Sequence, residues 1–274
     1  MRPLESLRIA VMPAAAPNSV AWALNRVLRR SPRADVTVVH SWGAADDLTA
    51  VRDGDLDAAI LVGPVDFPGL QTSPLLMRER YAVVAEDHPL AAKPILRFDD
   101  IIDLPTFRRP ERVLPAWRAY WLNVEERGTE PAYLGSSRCE FDAFVAIANG
   151  RVVGVAPDGW GRRPGLATRL VADLPAVEIV LITRRERPKP LLNAFSRALR
   201  DHADQELTLA ERRIAAFVAR GYTDHQIANF LHLSARTVES HVANARRRLN
   251  LRSRAHLAVQ VTEQAVLHPT GDGP

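Results

Sequence analysis

At 274 residues the chain is long enough for one large domain and a smaller second one, and its 47% hydrophobic and 25% charged residues are ordinary for a globular protein. No run approaches the ~18 apolar residues that span a bilayer. Glu5 and Arg8 interrupt the only stretch that could pass for a leader, so a cytoplasmic location is expected and no membrane partner. One cysteine, Cys139, excludes an internal disulfide and any multi-cysteine zinc centre. The net charge of +4 is modest but unevenly placed: Leu207 to Gln260 holds nine arginines against three acids, a net +6. A basic module joined to a near-neutral partner is the expected arrangement.

In chain order, Leu7–Met12, Val36–His40 and Ala58–Val62 are short apolar runs that read as strands buried on both faces. Between the first two, Ser19–Arg30 places Val20, Ala23, Leu24, Val27 and Leu28 on one side of a helix. Asp46–Arg52 fills the next gap and stops at Gly54. This order predicts a parallel sheet with right-handed crossovers. Tyr81–Ala85 and Val177–Ile182 read as the strands that carry the chain between two lobes. The second lobe is expected to hold a strand at Leu104–Arg108, helices at Ala116–Glu126 and Arg138–Asn149, and a strand at Val152–Ala156. Ser137 and Glu140 read as a capping box for the second of these helices. Leu191–Arg200 would close the domain, giving a first lobe of about 6–80 and 183–204 and a second of about 86–176.

The stretches LRIAV, AVRDGDLDAAILVGPVDFPGL, PLLMRERYAVVAEDHPLA and FVAIANGRVVGVAP, in this order and spacing, resemble the effector-binding domain of LysR-type regulators over residues 6 to 204. The resemblance implies an α/β bilobal domain, two Rossmann-like lobes of the type II periplasmic-binding-protein class. Members carry a winged helix-turn-helix ahead of this domain. Here only a handful of residues precede the first strand, so the DNA-binding role is expected from the C-terminal segment. Ligands in such folds sit at the carboxyl ends of strands, where helix N-termini point into the cleft. The candidate effector residues are therefore Pro17, Asn18, Ser19, Trp42, Gly43, Gly63 and Pro64, with Phe107, Arg108, Ser136, Ser137, Ala156 and Pro157 from the second lobe. Trp42 could stack on a planar ligand or be a core residue. Gly43 stands where many members have Ser or Thr. Arg108 and Arg109 could neutralise an anion or stay solvated. A carboxylate or aromatic acid is the expected effector; the alternative is a dimerisation scaffold with an empty cleft.

From Leu207 the punctuation is that of short helices. Thr208 with Glu211 and Thr223 with Gln226 are capping boxes, while Ser234 and Ser253 can cap two more helices. The inward positions are Ile214, Ala215, Phe217 and Val218, then Ile227, Ala228 and Leu231, then Val238, Val242, Ala245 and Leu249, then Leu257, Val261 and Val266. The short run Leu231-His232-Leu233-Ser234 between two short amphipathic helices is a helix-turn-helix arrangement within an all-α, four-helix unit over 205–274.

Leu207-Thr208, Glu211, Gly221, Thr223, Ile227-Ala228, Leu231-His232-Leu233-Ser234, Thr237-Val238, His241 and Arg248-Leu249 closely resemble the LuxR-type helix-turn-helix domain. The resemblance implies a recognition helix at Ser234–Asn250 and double-stranded DNA as the partner. Glu239, Ser240 and Ala243 match base-facing positions, with Thr237 and Asn244 beside them. Arg236, Arg247, Arg248 and the helix starts at Thr223 and Ser234 suit phosphates. Glu239 replaces a common Lys, and a carboxylate can accept from cytosine N4. Both resemblances imply a homodimer on a pseudo-palindromic operator.

Two other classes find little support. A phosphoacceptor domain needs acids directly after its first strand, where this chain reads Pro13-Ala14-Ala15-Ala16; Asp55 and Asp57 precede the third strand instead. An enzyme or binding protein of the same bilobal fold is the other rival, but no nucleophile elbow, phosphate loop or metalloprotease helix is present. No catalytic residue, cofactor or metal is expected, since His225, His232 and His256 lack ligand spacing.

Overall fold

The computed structural model describes residues 5–40, 45–109, 113–157, 163–186 and 188–266. The first lobe begins β1 (Ser6–Val11), α1 (Pro17–Arg30), β2 (Asp35–His40), α2 (Ala45–Asp53) and β3 (Ala58–Val62). β1 pairs in parallel with both β2 and β3, as the alternation of elements predicts. Every residue of β3 is buried, which is why its AAILV run shows no period-2 pattern. β4 (Leu70–Arg78) follows and, after a second lobe, β10 (Val177–Arg184) returns to complete a sheet of order β2-β1-β3-β10-β4. α6 (Pro190–Ala203) packs on α1, while α2 packs on β3 and β10.

β4 went unread in the sequence because LQTSPLLMR carries a proline and no alternation. Its place on the sheet edge, with a register shift beside Pro74, tolerates both. The lobe crossings also lie elsewhere than expected. Tyr81–Ala85 falls inside β5 (Arg80–Ala85), the middle strand of a second sheet of order β8-β5-β9, and Val177–Ile182 lies inside the first sheet. The chain crosses at Glu79, the one residue between β4 and β5, and returns over 171–176.

The second lobe contains β6 (Thr106–Arg108), α3 (Pro115–Trp121), α4 (Val124–Arg127), β7 (Tyr133–Ser136), α5 (Glu140–Ala148), β8 (Gly154–Pro157) and β9 (Leu166–Leu170). Two expectations need correction here. The single helix at Ala116–Glu126 is broken at Asn123, a buried residue at φ 56°, in the left-handed region that asparagine tolerates better than most side chains. Ser137 and Glu140 form no capping box, because α5 starts at Glu140 with Cys139 as its cap. Ser137 Oγ instead donates to the Cys139 carbonyl at 2.8 Å. Trp42 and Gly43 lie outside the described residues.

Among the described residues, the C-terminal unit is four helices: α7 (Leu209–Val218), α8 (Asp224–Leu231), α9 (Ala235–Arg248) and α10 (Arg254–Val266). Ile214, Phe217, Ile227, Val238, Val242 and Leu257 form its core. Ile95, Leu170 and Ala172 of the second lobe belong to the same cluster, so the helical unit is packed onto that lobe. No helix among the described residues is long and apolar enough to cross a membrane.

Candidate nucleic-acid interface and effector cleft

Side-chain caps fix where the C-terminal helices begin. Thr208 Oγ1 accepts the Glu211 N–H at 3.3 Å while Glu211 Oε2 accepts the Thr208 N–H at 2.9 Å. Thr223 and Gln226 exchange the same pair at 3.3 and 2.8 Å. Ser234 Oγ accepts the Thr237 N–H at 3.0 Å, and Ser253 Oγ accepts the His256 N–H at 3.1 Å. α8 ends at His232, φ 55°, and a short turn delivers the chain to α9.

On α9, Val238, Val242 and Ala245 are buried, whereas Arg236, Glu239, Ser240, Ala243 and Arg247 are exposed. Steps of three and four residues place those five on one stripe opposite the core. Thr237 and Asn244 are half-buried at its margins, and the Thr223 and Ser234 hydroxyls are engaged in their caps. Arg248 is exposed but engaged: Nε lies 3.1 Å from Glu211 Oε2 and Nη1 donates to the Asp204 carbonyl at 3.1 Å. Arg212, Arg213 and Arg254 likewise face carboxylates, on Glu206, Glu79 and Asp224. The local excess of +6 is thus partly neutralised, and Arg236 and Arg247 carry positive charge on the exposed stripe.

The helical unit meets the bilobal domain at its hinge. Glu79, fully buried, receives both Arg213 Nε and Nη2 at 2.6 and 2.7 Å. Its neighbour Arg78 reaches Glu206 Oε2 at 2.6 Å, and Arg212 reaches the same oxygen at 2.7 Å. Sequence reasoning missed Glu79, Arg78, Glu206 and Arg212, since Glu79–Arg213 and Arg78–Glu206 join residues far apart in the chain and leave no local pattern.

The expected effector residues do not form one group. Pro17, Asn18, Ser19, Ala156 and Pro157 line a cleft of about 1200 Å³ that the C-terminal helices also wall, through Arg212 and Arg220. Ala16, at φ 51°, turns the chain into α1 there. At the end of β3 the space is occupied. A Cβ on Gly63 would sit 2.6 Å from the Tyr120 ring, and Trp117 Nε1 donates to the Val62 carbonyl, closing the lobes at Gly63–Pro64. Phe107 is buried beside Trp117 and Trp121, where burial pushes the Arg109 guanidinium down to about 9. Arg108 lies over the Tyr133 ring at 4.5 Å, Ser136 is exposed and Ser137 is buried. Nearer β2, His40 Nε2 sits 3.5 Å from Glu140 Oε2, a further contact between the lobes. Burial raises the Glu140 carboxyl against the pull of Arg163 and His40. Asp57, buried before β3, accepts from the Arg8 N–H at 2.9 Å and lies 2.8 Å from Lys189 Nζ, partners that give it a structural role.

Residues 2–204 match the family described as LysR substrate binding domain, and residues 205–261 match bacterial regulatory proteins, luxR family. The DNA-binding transcriptional activator DevR/DosR of Mycobacterium tuberculosis is 31% identical over 144 residues, which cover 51% of this chain and 61% of that protein. The chain therefore spans less than two thirds of that relative. Among solved structures, CbnR, a LysR family transcriptional regulator, aligns with a TM-score of 0.61 at 18% identity, covering 73% of this chain and 70% of the other. The BenM effector binding domain with its effector benzoate aligns at 0.60 and 15% identity, over 73% and 92%. At these identities the two structures establish the fold alone.

Proposed function

The chain belongs to the LysR substrate-binding domain family, with a luxR-type regulatory segment behind that domain, and from this premise we propose that it is a transcriptional regulator that binds duplex DNA through α9. The observation that carries the reading is the exposed stripe of Arg236, Glu239, Ser240, Ala243 and Arg247 on the second helix of a helix-turn-helix pair. Such a helix enters the major groove with its outer side chains towards the base edges, while arginines at the margin neutralise phosphates. The regulator acts in the cytoplasm without catalysis, metal or cofactor, as a homodimer on a pseudo-palindromic site. The outer edge of β2, with Val38 49% and Val39 38% exposed, supports pairing of copies there. A small carboxylate or aromatic acid in the bilobal domain adjusts the arrangement of the two DNA-binding units.

The test is fluorescence anisotropy of the full chain on duplexes selected from a random-sequence pool. Binding should weaken steeply with salt. Arg247→Ala should weaken it on every sequence and flatten the salt slope by about one. Glu239→Ala should change the selected bases with little change in slope. Duplex affinity indifferent to both salt and Arg247→Ala would remove the stripe from the interface.

The filling of the lobe junction by Trp117 and Tyr120 favours a second reading, a regulator whose bilobal domain only holds the dimer together. It predicts DNA affinity unchanged by any small acid that the full chain binds.

A further inference from the structure

Glu79 is the one residue between β4 of the first lobe and β5 of the second, and it is fully buried. Arg213, in the second turn of α7, holds its carboxylate with two donors, Nε at 2.6 Å from Oε1 and Nη2 at 2.7 Å from Oε2. The bond to Glu79 raises the Arg213 guanidinium above its ordinary value, against the effect of burial. The return crossing over 171–176 also meets the helical unit, because Ala172 joins Ile95 and Leu170 in the helical core cluster. Both connections between the lobes therefore touch the DNA-binding unit. The two contacts differ in kind. The apolar patch is non-directional and tolerates small sliding. A bidentate carboxylate–guanidinium pair fixes both distance and plane. Pulling Arg213 away would take from a fully buried carboxylate the guanidinium that pairs with it, at a large cost.

We infer that the Glu79–Arg213 pair is the link through which the angle between the lobes sets the direction of the recognition helix. A hinge moves by dihedral changes in a few residues at the ends of elements, and Glu79 is such a residue. When Glu79 turns, its carboxylate turns, and Arg213 follows because the pair outlasts the motion. α7 packs directly on α9, so the exposed stripe turns with it. The apolar patch keeps the unit against the second lobe meanwhile. By reciprocity, DNA held by α9 restrains the lobes. Glu79 and Arg213 both act through α7, as positioning residues. The inference rests on the reading of the first domain as an effector domain, and adds the route by which its lobes reach α9.

Hydrogen exchange of the full chain, with the lobes free or crosslinked, tests it. His40 Nε2 and Glu140 Oε2 lie 3.5 Å apart across the lobes, so a short bismaleimide between His40→Cys and Glu140→Cys holds their present angle. Cys139→Ser removes the exposed native thiol. Crosslinking should slow exchange over residues 209–218 and 235–248 by about threefold or more, since restraining the lobes restrains the unit tied to them. With Glu79→Met and Arg213→Met together, crosslinking should leave exchange there unchanged. A pair that only stabilised the fold would alter the rates themselves and not their response to the crosslink, so that response is the readout. If the methionine pair fails to fold, Glu79→Gln repeats the comparison; it keeps the side-chain shape and one accepting oxygen, and its response should be smaller than that of the wild-type hinge. No response in the wild-type hinge, or an equal response with and without the pair, overturns the inference. Duplex binding is read separately: salt-dependent binding without a crosslinking response sinks this inference alone, whereas a response confined to the paired hinge in a chain that ignores DNA sinks the regulator reading alone.

Discussion

Gly63 shows how one residue decides where a ligand can enter. Its φ of 91° lies in the left-handed region, and the Tyr120 ring fills the position a Cβ would take, at 2.6 Å. Two penalties add for Gly63→Ala: roughly 1–2 kcal/mol for a left-handed non-glycine residue, and a further ~1–3 kcal/mol for overpacking. Urea denaturation of the full chain should show the loss, and a stability equal to wild type would mean that Tyr120 swings aside and the junction opens. Glycine at this position was legible in the sequence as a strand-end residue expected to face a ligand. The ring facing it was not, because Tyr120 lies 57 residues further along the chain.

Among the elements, those built from local rules were read well. The reciprocal caps at Thr208–Glu211 and Thr223–Gln226 rest on residues three apart, and the pairing of hydroxyl and backbone needs nothing from the rest of the molecule. Thr223→Ala should accordingly destabilise the C-terminal unit by about 1 kcal/mol, seen as a lower unfolding midpoint, since it leaves α8 with an unmet N–H at its first turn. The same pattern misled at Ser137 and Glu140, where the helix starts too late for Ser137 to reach it. β4 and the break at Asn123 were hidden for a different reason. An edge strand can accept proline, and a single left-handed residue breaks a helix without altering the run of apolar positions around it, so neither announces itself in a hydrophobic period.

For the whole molecule, the decisive contacts are the ionic ones between the lobe hinge and the helical unit. Arg213→Ala would strand the fully buried Glu79 carboxylate, so a loss of about 3–5 kcal/mol in denaturant unfolding is expected. Replacing both Glu79 and Arg213 by methionine should recover most of it; a double variant as unstable as the single one would show that the site needs the pair itself. The Glu206 cluster adds a pH dependence. Burial pushes this carboxyl up, but Arg78, Arg212 and the Ser19 hydrogen bond outweigh burial and set it below its ordinary value. A depressed folded-state value means that the stabilisation is complete above the ordinary carboxylate pKa of about 4.3 and is lost as pH falls through the lowered value. Protection of residues 205–218 from hydrogen exchange should therefore hold through neutral pH and fail in acid, and Glu206→Gln should remove that acid step. Among the described residues, Arg78, Arg212 and His202 are the titratable groups facing Glu206, with the Ser19 hydroxyl beside them.

By itself the sequence determined the two-part architecture, the parallel start of the first sheet, and the inward positions Val238, Val242 and Ala245 of α9. Each follows from short-range periodicity, capping and charge, which act within a few residues of one another. Only the tertiary structure decided which arginines of the basic segment face outward, that the lobe junction at Gly63 is filled, and that the linker carboxylate sits against Ser19 and Arg78. Those outcomes depend on groups brought together across the chain, where burial makes an ion pair or a ring contact strong and no local pattern records the partner.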